Sequence, residues 1–246
     1  YDRLSPGAGV EVTSIRRVAD QFLVKQTWST NSLAGYASNY TASMSLLENT
    51  LSADGFSLSA GLDTLFASLN DATVKPESIP YRQQIINESE ALSRRFNTLT
   101  ESLHNQHKDM SDQRNAATSH ANSLLSNIAQ VNKQITEMQG TGGNPAHLMD
   151  ARDALIGELS QVIEVKTSNQ PDGTIQVTLA SGQPLVMGSE AGKIKANPDP
   201  ADPYMANLNV EFGKQDFAIS GAVCGKLGAI TDYQNDVLKP NQVALD

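Results

Sequence analysis

The chain is short of several things at once. One cysteine, Cys224, stands among its 246 residues, which excludes an intramolecular disulfide, a cysteine-built zinc site and a C-x-x-C redox pair. Aromatic residues make up 5% and hydrophobic residues 39% of the sequence, so apolar bulk is small relative to surface and a rod suits the composition better than a ball. Basic charge is also scarce, with 18 Lys and Arg against 27 Asp and Glu and a net charge of -9. Such a surface repels polyphosphate and anionic lipid, which argues against nucleic acid or a membrane as partner. The densest basic cluster, Arg94-Arg95 with Arg82 upstream, lies beside Glu88, Glu90 and Glu101 and reads as a solvated helix face. No apolar run reaches the roughly 18 to 20 residues that cross a bilayer. The opening Tyr1-Asp2-Arg3 lacks a signal-peptide pattern, so an export signal would have to lie elsewhere.

What is present is periodicity. Gly9 to Ile15 alternate apolar and polar residues, the period of a half-buried strand. From about Ala19, Phe22, Leu33, Tyr36, Tyr40, Met44, Leu47 and Leu51 recur at helical spacing and predict one long amphipathic helix. Asp54-Gly55 punctuates the chain, Ser57 is placed to cap a second helix with Leu58, Leu62, Leu65, Phe66 and Leu69 on one face, and Pro76 and Pro80 bracket a connection. From Arg82 to Met138 there is neither Gly nor Pro, which predicts a helix roughly 85 Å long. Within it Phe96, Leu103, Met110, Ala117, Leu124, Val131 and Met138 recur every seventh residue, as one line of a heptad seam does. The companion line runs from Leu92 and Leu99 into Gln106 and Gln113, then resumes one position away at Ala121, Ile128 and Ile135. Such a slip marks a kink or a change of partner. Polar residues on a seam can fix register, and the expectation is that Gln106 and Gln113 mark where the helix meets a neighbouring subunit.

Gly140 to Gly143 end that helix, and Asn144-Pro145 supply an N-cap and a first-turn proline for the next, which carries Leu148, Ala151, Leu155, Leu159 and Val162. Strand alternation follows at 163–166, 174–179 and 208–212, with turns at Asp172-Gly173 and Ser181-Gly182. Pro198, Pro200 and Pro203 with Asp199 and Asp202 read as an exposed loop, and a helix is expected from Ala229. The predicted class is α+β: long antiparallel helices forming an elongated rod or bundle, followed by a small antiparallel β section. The expected division is a rod over 1–162 with an N-terminal strand, a β-rich section over 163–220, and a return segment over 221–246.

Candidate sites are few. His104 and His107 share a helix face near Asp109 and Asp112, but two ligands with loose carboxylates do not close a tetrahedral metal site, and His120 and His147 have no partners at defined spacing. Gly140-Thr141-Gly142-Gly143 lacks the Gly-Lys-Ser/Thr ending of a phosphate loop and reads as a helix terminator. Asp150, Arg152 and Asp153 ride on an amphipathic helix, where a structural role outweighs acid catalysis. No G-x-S-x-G elbow is present. Cys224 reads as a small packed residue, and Trp28, Tyr36 and Tyr40 as helix-to-helix core. The expectation is therefore no enzyme: no catalytic residue, no cofactor and no metal.

Several stretches nevertheless carry a resemblance. Gly9 to Val12 run into Arg16 to Leu23; Pro76 to Arg82 precede Leu92 and Phe96; Asn144-Pro145 lead through Leu148-Met149-Asp150-Ala151-Arg152-Asp153-Ala154-Leu155 to Val162-Ile163-Glu164-Val165; and Gly225-Lys226-Leu227-Gly228-Ala229-Ile230 precede Val237-Leu238 and Pro240. Together they resemble the hook-associated protein 1 family of bacterial flagella. Tyr233-Gln234-Asn235 departs from an Arg-Asp-like pair common in that family, so no salt bridge is carried over to it. The resemblance implies a structural subunit at the junction of hook and filament, here a fragment without the terminal axial helices. It further implies secretion to the extracellular flagellum and assembly with copies of itself in a ring. Expected partners are the hook protein, the second junction protein and, through the missing C-terminus, an export chaperone. Alternatives are a flagellin-like or second junction protein, or a surface adhesin using the β section as a ligand-binding module.

Overall fold

The computed structural model describes residues 21–53, 57–219 and 223–243. The strand expected at Gly9 to Ile15 and the Asp54-Gly55 turn lie outside these residues. Four helices come first: α1 (Gln21–Ser52), α2 (Leu58–Val74), α3 (Ile79–Gly140) and α4 (Ala146–Val162). Strands β1 (Val165–Asn169), β2 (Ile175–Leu179), β3 (Pro184–Met187) and β4 (Glu190–Ala191) form an antiparallel sheet in that order. A second antiparallel sheet holds β5 (Lys193–Asp199), β6 (Asp202–Phe212) and β7 (Gln215–Ala218). The chain then returns through α5 (Lys226–Asp232), a π-helical turn (Tyr233–Leu238) and α6 (Lys239–Val243). Long helices followed by small antiparallel sheets are the α+β class that the periodicities predict.

At about 1.5 Å per residue the 62 residues of α3 span about 93 Å. The helix starts earlier than expected: Pro80 sits in its first turn instead of closing the preceding loop. A proline is tolerated there because the first-turn N–H groups have no intrahelical acceptor. At the other end Gly142, with φ of 75°, supplies the left-handed residue of a Schellman stop. The Gly143 amide donates to the Met138 carbonyl at 2.9 Å and the Gly142 amide to that of Gln139 at 3.0 Å. Ser57 caps α2 as the sequence suggests, its Oγ accepting from the Ala60 amide at 3.3 Å. For α4 the cap moves by one residue. Pro145 takes the N-cap position and Asn144 Oδ1 accepts from the Ala146 amide at 3.1 Å.

The seam on α3 does step sideways, and the step falls between Gln106 and His107. Leu103, Met110, Ala117 and Leu124 are buried along one line, while the second line passes from Leu99 and Gln106 to His107, Arg114, Ala121, Ile128 and Ile135. Gln113 is exposed. α2 lies against α3 before the step, with Gly61 facing Leu92 and Arg95; the return segment straddles the step, on Leu99, Leu103 and Met110; and the apolar contacts with α4 and the sheets lie beyond it. The polar zone therefore marks a change of intramolecular partner, and the expectation that Gln106 and Gln113 face another subunit is wrong for Gln106, which is buried inside the chain.

On α1 and α2 the packed face is not the apolar face. Trp28, Ser32 and Leu47 are the buried residues of α1, and Gly61 and Ser68 those of α2. Small residues let the backbones approach: a Cβ on Gly35 would lie 2.4 Å from the Gln161 carbonyl oxygen of α4. Counting about 100° per residue, Phe22, Leu33, Met44 and Leu51 fall on one line beside that packed face. All four are exposed, as are Leu62, Phe66 and Leu69 on α2.

The β section is larger than the alternation predicts, because β3, β4, β5 and β7 are short or outwardly polar. The proline-rich stretch is the largest correction. Pro198 lies within β5 opposite Ala206, and Asp199 pairs with Asp202 across a register shift at the hairpin tip. Its strand, β5, is an edge, where a residue without an N–H leaves no ladder bond unmade. One core joins Trp28 with α3, α4, both sheets and Leu227; a second joins Leu47, Leu99, Leu103 and Met110 with Ile230, Tyr233 and Leu238.

Candidate functional site

Two buried polar junctions on α3 hold the other elements to it. The first uses asparagines. Asn132 is fully buried; its Nδ2 donates to the Ile175 carbonyl at 2.9 Å and the Gly188 carbonyl at 2.8 Å, and its Oδ1 accepts from the Ile175 amide at 3.2 Å. Asn122 does the same for the second sheet, donating to the Ile194 carbonyl at 2.8 Å and accepting from its amide at 2.7 Å. A side-chain amide carries a donor and an acceptor side by side, as a peptide does, so each asparagine extends the backbone pairing of a strand onto the helix. Arg152 of α4 completes the junction, its Nη1 donating to Asn132 Oδ1 at 3.2 Å and to the Gly173 carbonyl at 2.9 Å. The sequence gives Arg152 a structural role on an amphipathic helix; it is 3% exposed. Burial next to carbonyl acceptors is the reason, since they replace the water that a guanidinium would otherwise need.

The second junction sits at the seam step. Gln106 donates from Nε2 to Thr50 Oγ1 at 3.1 Å and accepts at Oε1 from the Tyr233 hydroxyl at 3.1 Å, tying α1 to the return segment. Arg114 donates from Nη1 to Gln234 Oε1 at 2.7 Å, and from Nη2 to Ser111 Oγ at 3.1 Å and the Tyr204 carbonyl at 2.9 Å. Gln234 in turn donates to the Tyr204 carbonyl at 3.2 Å. Tyr233 and Gln234, the pair that departs from the family pattern, thus make a neutral hydrogen-bonded contact. The wide π turn around them turns both side chains toward α3. Tyr40 stacks on Tyr36 at 5.7 Å and meets Tyr233 edge-on at 6.3 Å, and the Tyr36 hydroxyl donates to Asp232 Oδ2 at 2.8 Å. Burial first, then that carboxylate, pushes the Tyr36 phenol up to about 12; burial does the same to Tyr233. These aromatics are helix-to-helix core.

The histidines separate. His104 is exposed with Nε2 2.7 Å from the Tyr204 hydroxyl, whereas His107 is 1% exposed and neither ring nitrogen completes a hydrogen bond. The polar stretch around His107 suits solvated helix surface, but the slipped seam line carries His107 inward. Asp112 pairs with Lys108 at 3.1 Å instead of facing the histidines. His120 and His147 are exposed. Among the described residues no three His, Cys, Asp or Glu side chains group to hold a metal ion, and no helix is long and apolar enough to cross a membrane. Burial, with Glu164 nearby, raises the Cys224 thiol above its usual range, away from thiolate reactivity.

His107 sets a pH dependence. Burial lowers its pKa, opposed by Asp202 and the Leu238 backbone. The folded state therefore resists a proton that the unfolded state accepts near pH 6.5, so stability is full above that value and falls as pH drops below it. We expect loss of up to about 1.4 kcal/mol per pH unit below pH 6.5. In His107→Phe, thermal melts at pH 7.5 and pH 5.5 should show a smaller acid loss than in the parent; an unchanged loss contradicts the assignment.

Sequence reasoning missed Asn122, Asn132 and Arg114. A signal existed: extending the Ala121, Ile128, Ile135 line backwards by sevens reaches Arg114 and His107, and Asn132 lies between Ile128 and Ile135 on the same stripe.

A long helix to which two small sheets and a returning helix are bound by inward-facing polar side chains defines a class: a structural helical module, with its chemistry spent on holding its parts together. The chain belongs to the FlgK family, since the model described as "Flagellar hook-associated protein FlgK helical domain" matches residues 44–246. It is 33% identical over 237 residues to "Flagellar hook-associated protein 1" of Escherichia coli, covering 94% of this chain and 43% of that protein. Its namesake in Salmonella typhimurium is 34% identical over 238 residues, with the same two coverages. The Bacillus subtilis protein of that name is 30% identical over 177 residues, 72% of this chain and 35% of its own length. The chain thus spans less than half the length of these relatives. The solved structure of the flagellar hook junction protein FlgK from Burkholderia pseudomallei shares the fold, with a TM-score of 0.80 at 22% identity, covering 91% of this chain and 40% of that one.

Proposed function

We propose that this chain is the helical body of a structural subunit at the junction between flagellar hook and filament, acting outside the cell and assembling as a ring of its own copies against the hook protein and the second junction protein. The observation that carries this is the similarity to hook-associated protein 1 along 94% of the chain. In this reading the rod of residues 1–162 bears load, the β-rich section of 163–220 is an attachment on its flank, and the segment 221–246 leads the chain back toward the axis. An export chaperone acts through sequence beyond this chain. No catalytic step is assigned to it: Arg152, the cation beside Asp150 and Asp153, is taken up by Asn132 and the Gly173 carbonyl. A gene deletion tests the proposal. Cells should become non-motile and release filament monomers into the medium, and the intact gene should restore motility; a deletion strain that keeps attached filaments and swims contradicts it.

The exposed apolar lines on α1 and α2 support lateral packing, because single helices seldom leave such a stripe uncovered in a protein that works alone. Phe66 is 64% exposed and Leu62 39%. Leu62→Glu with Phe66→Glu should leave the unfolding free energy within about 0.5 kcal/mol per substitution. Introduced into the full-length gene, the pair should cut the swimming diameter in soft agar at least in half. Full complementation argues against contact at this face.

A further inference from the structure

Arg114 is 3% exposed, yet no carboxylate among the described residues forms an ion pair with it. Of its five N–H groups three are used, all on neutral acceptors: Gln234 Oε1, Ser111 Oγ and the Tyr204 carbonyl. The Nε N–H is buried without a partner. A buried guanidinium normally has a counter-charge, because neutral acceptors replace only part of the hydration it loses. Asp202 acts on Arg114 only at a distance and accepts from the Tyr204 amide, and Asp199 accepts from the Ala201 amide.

Beside Arg114 lies a cavity of about 170 Å³, walled by Asn207, Thr231, Asn235 and Lys239, with Asp199 at one side. Two cations and one carboxylate line it, with Asp202 acting on Arg114 from outside the lining, and the amides and hydroxyl add neutral donors. We infer that this cavity between β6 and the return helix binds a small carboxylate, held by Arg114 and Lys239. A guanidinium matches the planar geometry of that group better than any other side chain does. The carboxylate is either a free anion or an acidic side chain of a second subunit; the chemistry of recognition is the same.

The test uses the 246-residue chain. Sodium succinate and sodium acetate, each against sodium chloride at equal ionic strength, should raise the melting temperature saturably, as a ligand specific to the folded state does. The Nε–H resonance of Arg114 should shift along the same curve. Lys239→Gln should weaken the apparent affinity at least threefold, and Arg114→Lys, if it folds by circular dichroism, should abolish the response. If no free anion binds but the chain self-associates in sedimentation and Lys239→Gln disrupts this, the carboxylate comes from a second copy. Equal responses to chloride and carboxylates, with no Lys239-dependent association, overturn the inference.

Discussion

Replacing Asn132 with leucine should lower the unfolding free energy by about 3–5 kcal/mol, one of the largest effects of any single substitution in this chain. Leucine fills nearly the same space, so the effect comes from polar groups left behind. Four hydrogen bonds disappear, and the Ile175 amide, the Ile175 and Gly188 carbonyls and the Arg152 guanidinium lose a partner. Each buried group left unmet costs about 1–3 kcal/mol; relaxation and water entry recover part. Urea unfolding followed by circular dichroism measures it. A loss under about 1 kcal/mol means that the asparagine is a passenger and that the sheet docks by apolar contact alone.

Gly225→Val should detach the returning helix. Gly225 has φ of 87°, where β-branched residues are strained, and an added Cβ would lie 2.7 Å from the carbonyl carbon and oxygen of Val162 and 2.8 Å from the Ile163 nitrogen. These are backbone atoms at the end of α4 and cannot swing aside as a side chain could. The expected penalty is about 3 kcal/mol or more, concentrated where the return segment meets α3. Amide exchange should lose protection at Ala229 to Thr231, with Ile128 and Ile135 still protected in the distal half of α3. Unchanged protection of α5 contradicts this account of the contact.

The long helix was legible because its evidence is repetitive: seven-residue recurrence, the absence of Gly and Pro, and a glycine stop whose left-handed residue is Gly142. The seam slip was also legible, but not its meaning. Periodicity reports that a stripe moves, not whether the new partner is the same chain or another. Buried charge stayed hidden for a related reason. Arg114, Arg152 and His107 have the composition of solvated surface, and only the carbonyls and amides brought to them by distant segments make burial tolerable. The four unforeseen strands are short, carry polar residues such as Lys193, Lys195 and Asn197, and in two cases contain a proline, Pro184 and Pro198. On α1 and α2 apolar spacing identified a stripe wider than the packed face, because the closest approaches are made by Gly35, Ser32, Gly61 and Ser68. The resemblance at Asn144 to Leu155 and from Gly225 onward acquires physical content from the same contacts: Asn144 accepts from the Ala146 amide just ahead of α4, Arg152 anchors the helix, and Gly225 fits against its end.

The position of the chain in the flagellum tests the account most directly. Gold-labelled antibody raised against residues 21–243 and applied to intact flagella should decorate one narrow zone between the end of the hook and the start of the filament. Label running along the filament, or confined to the cell body, would contradict the assignment of this chain to the junction.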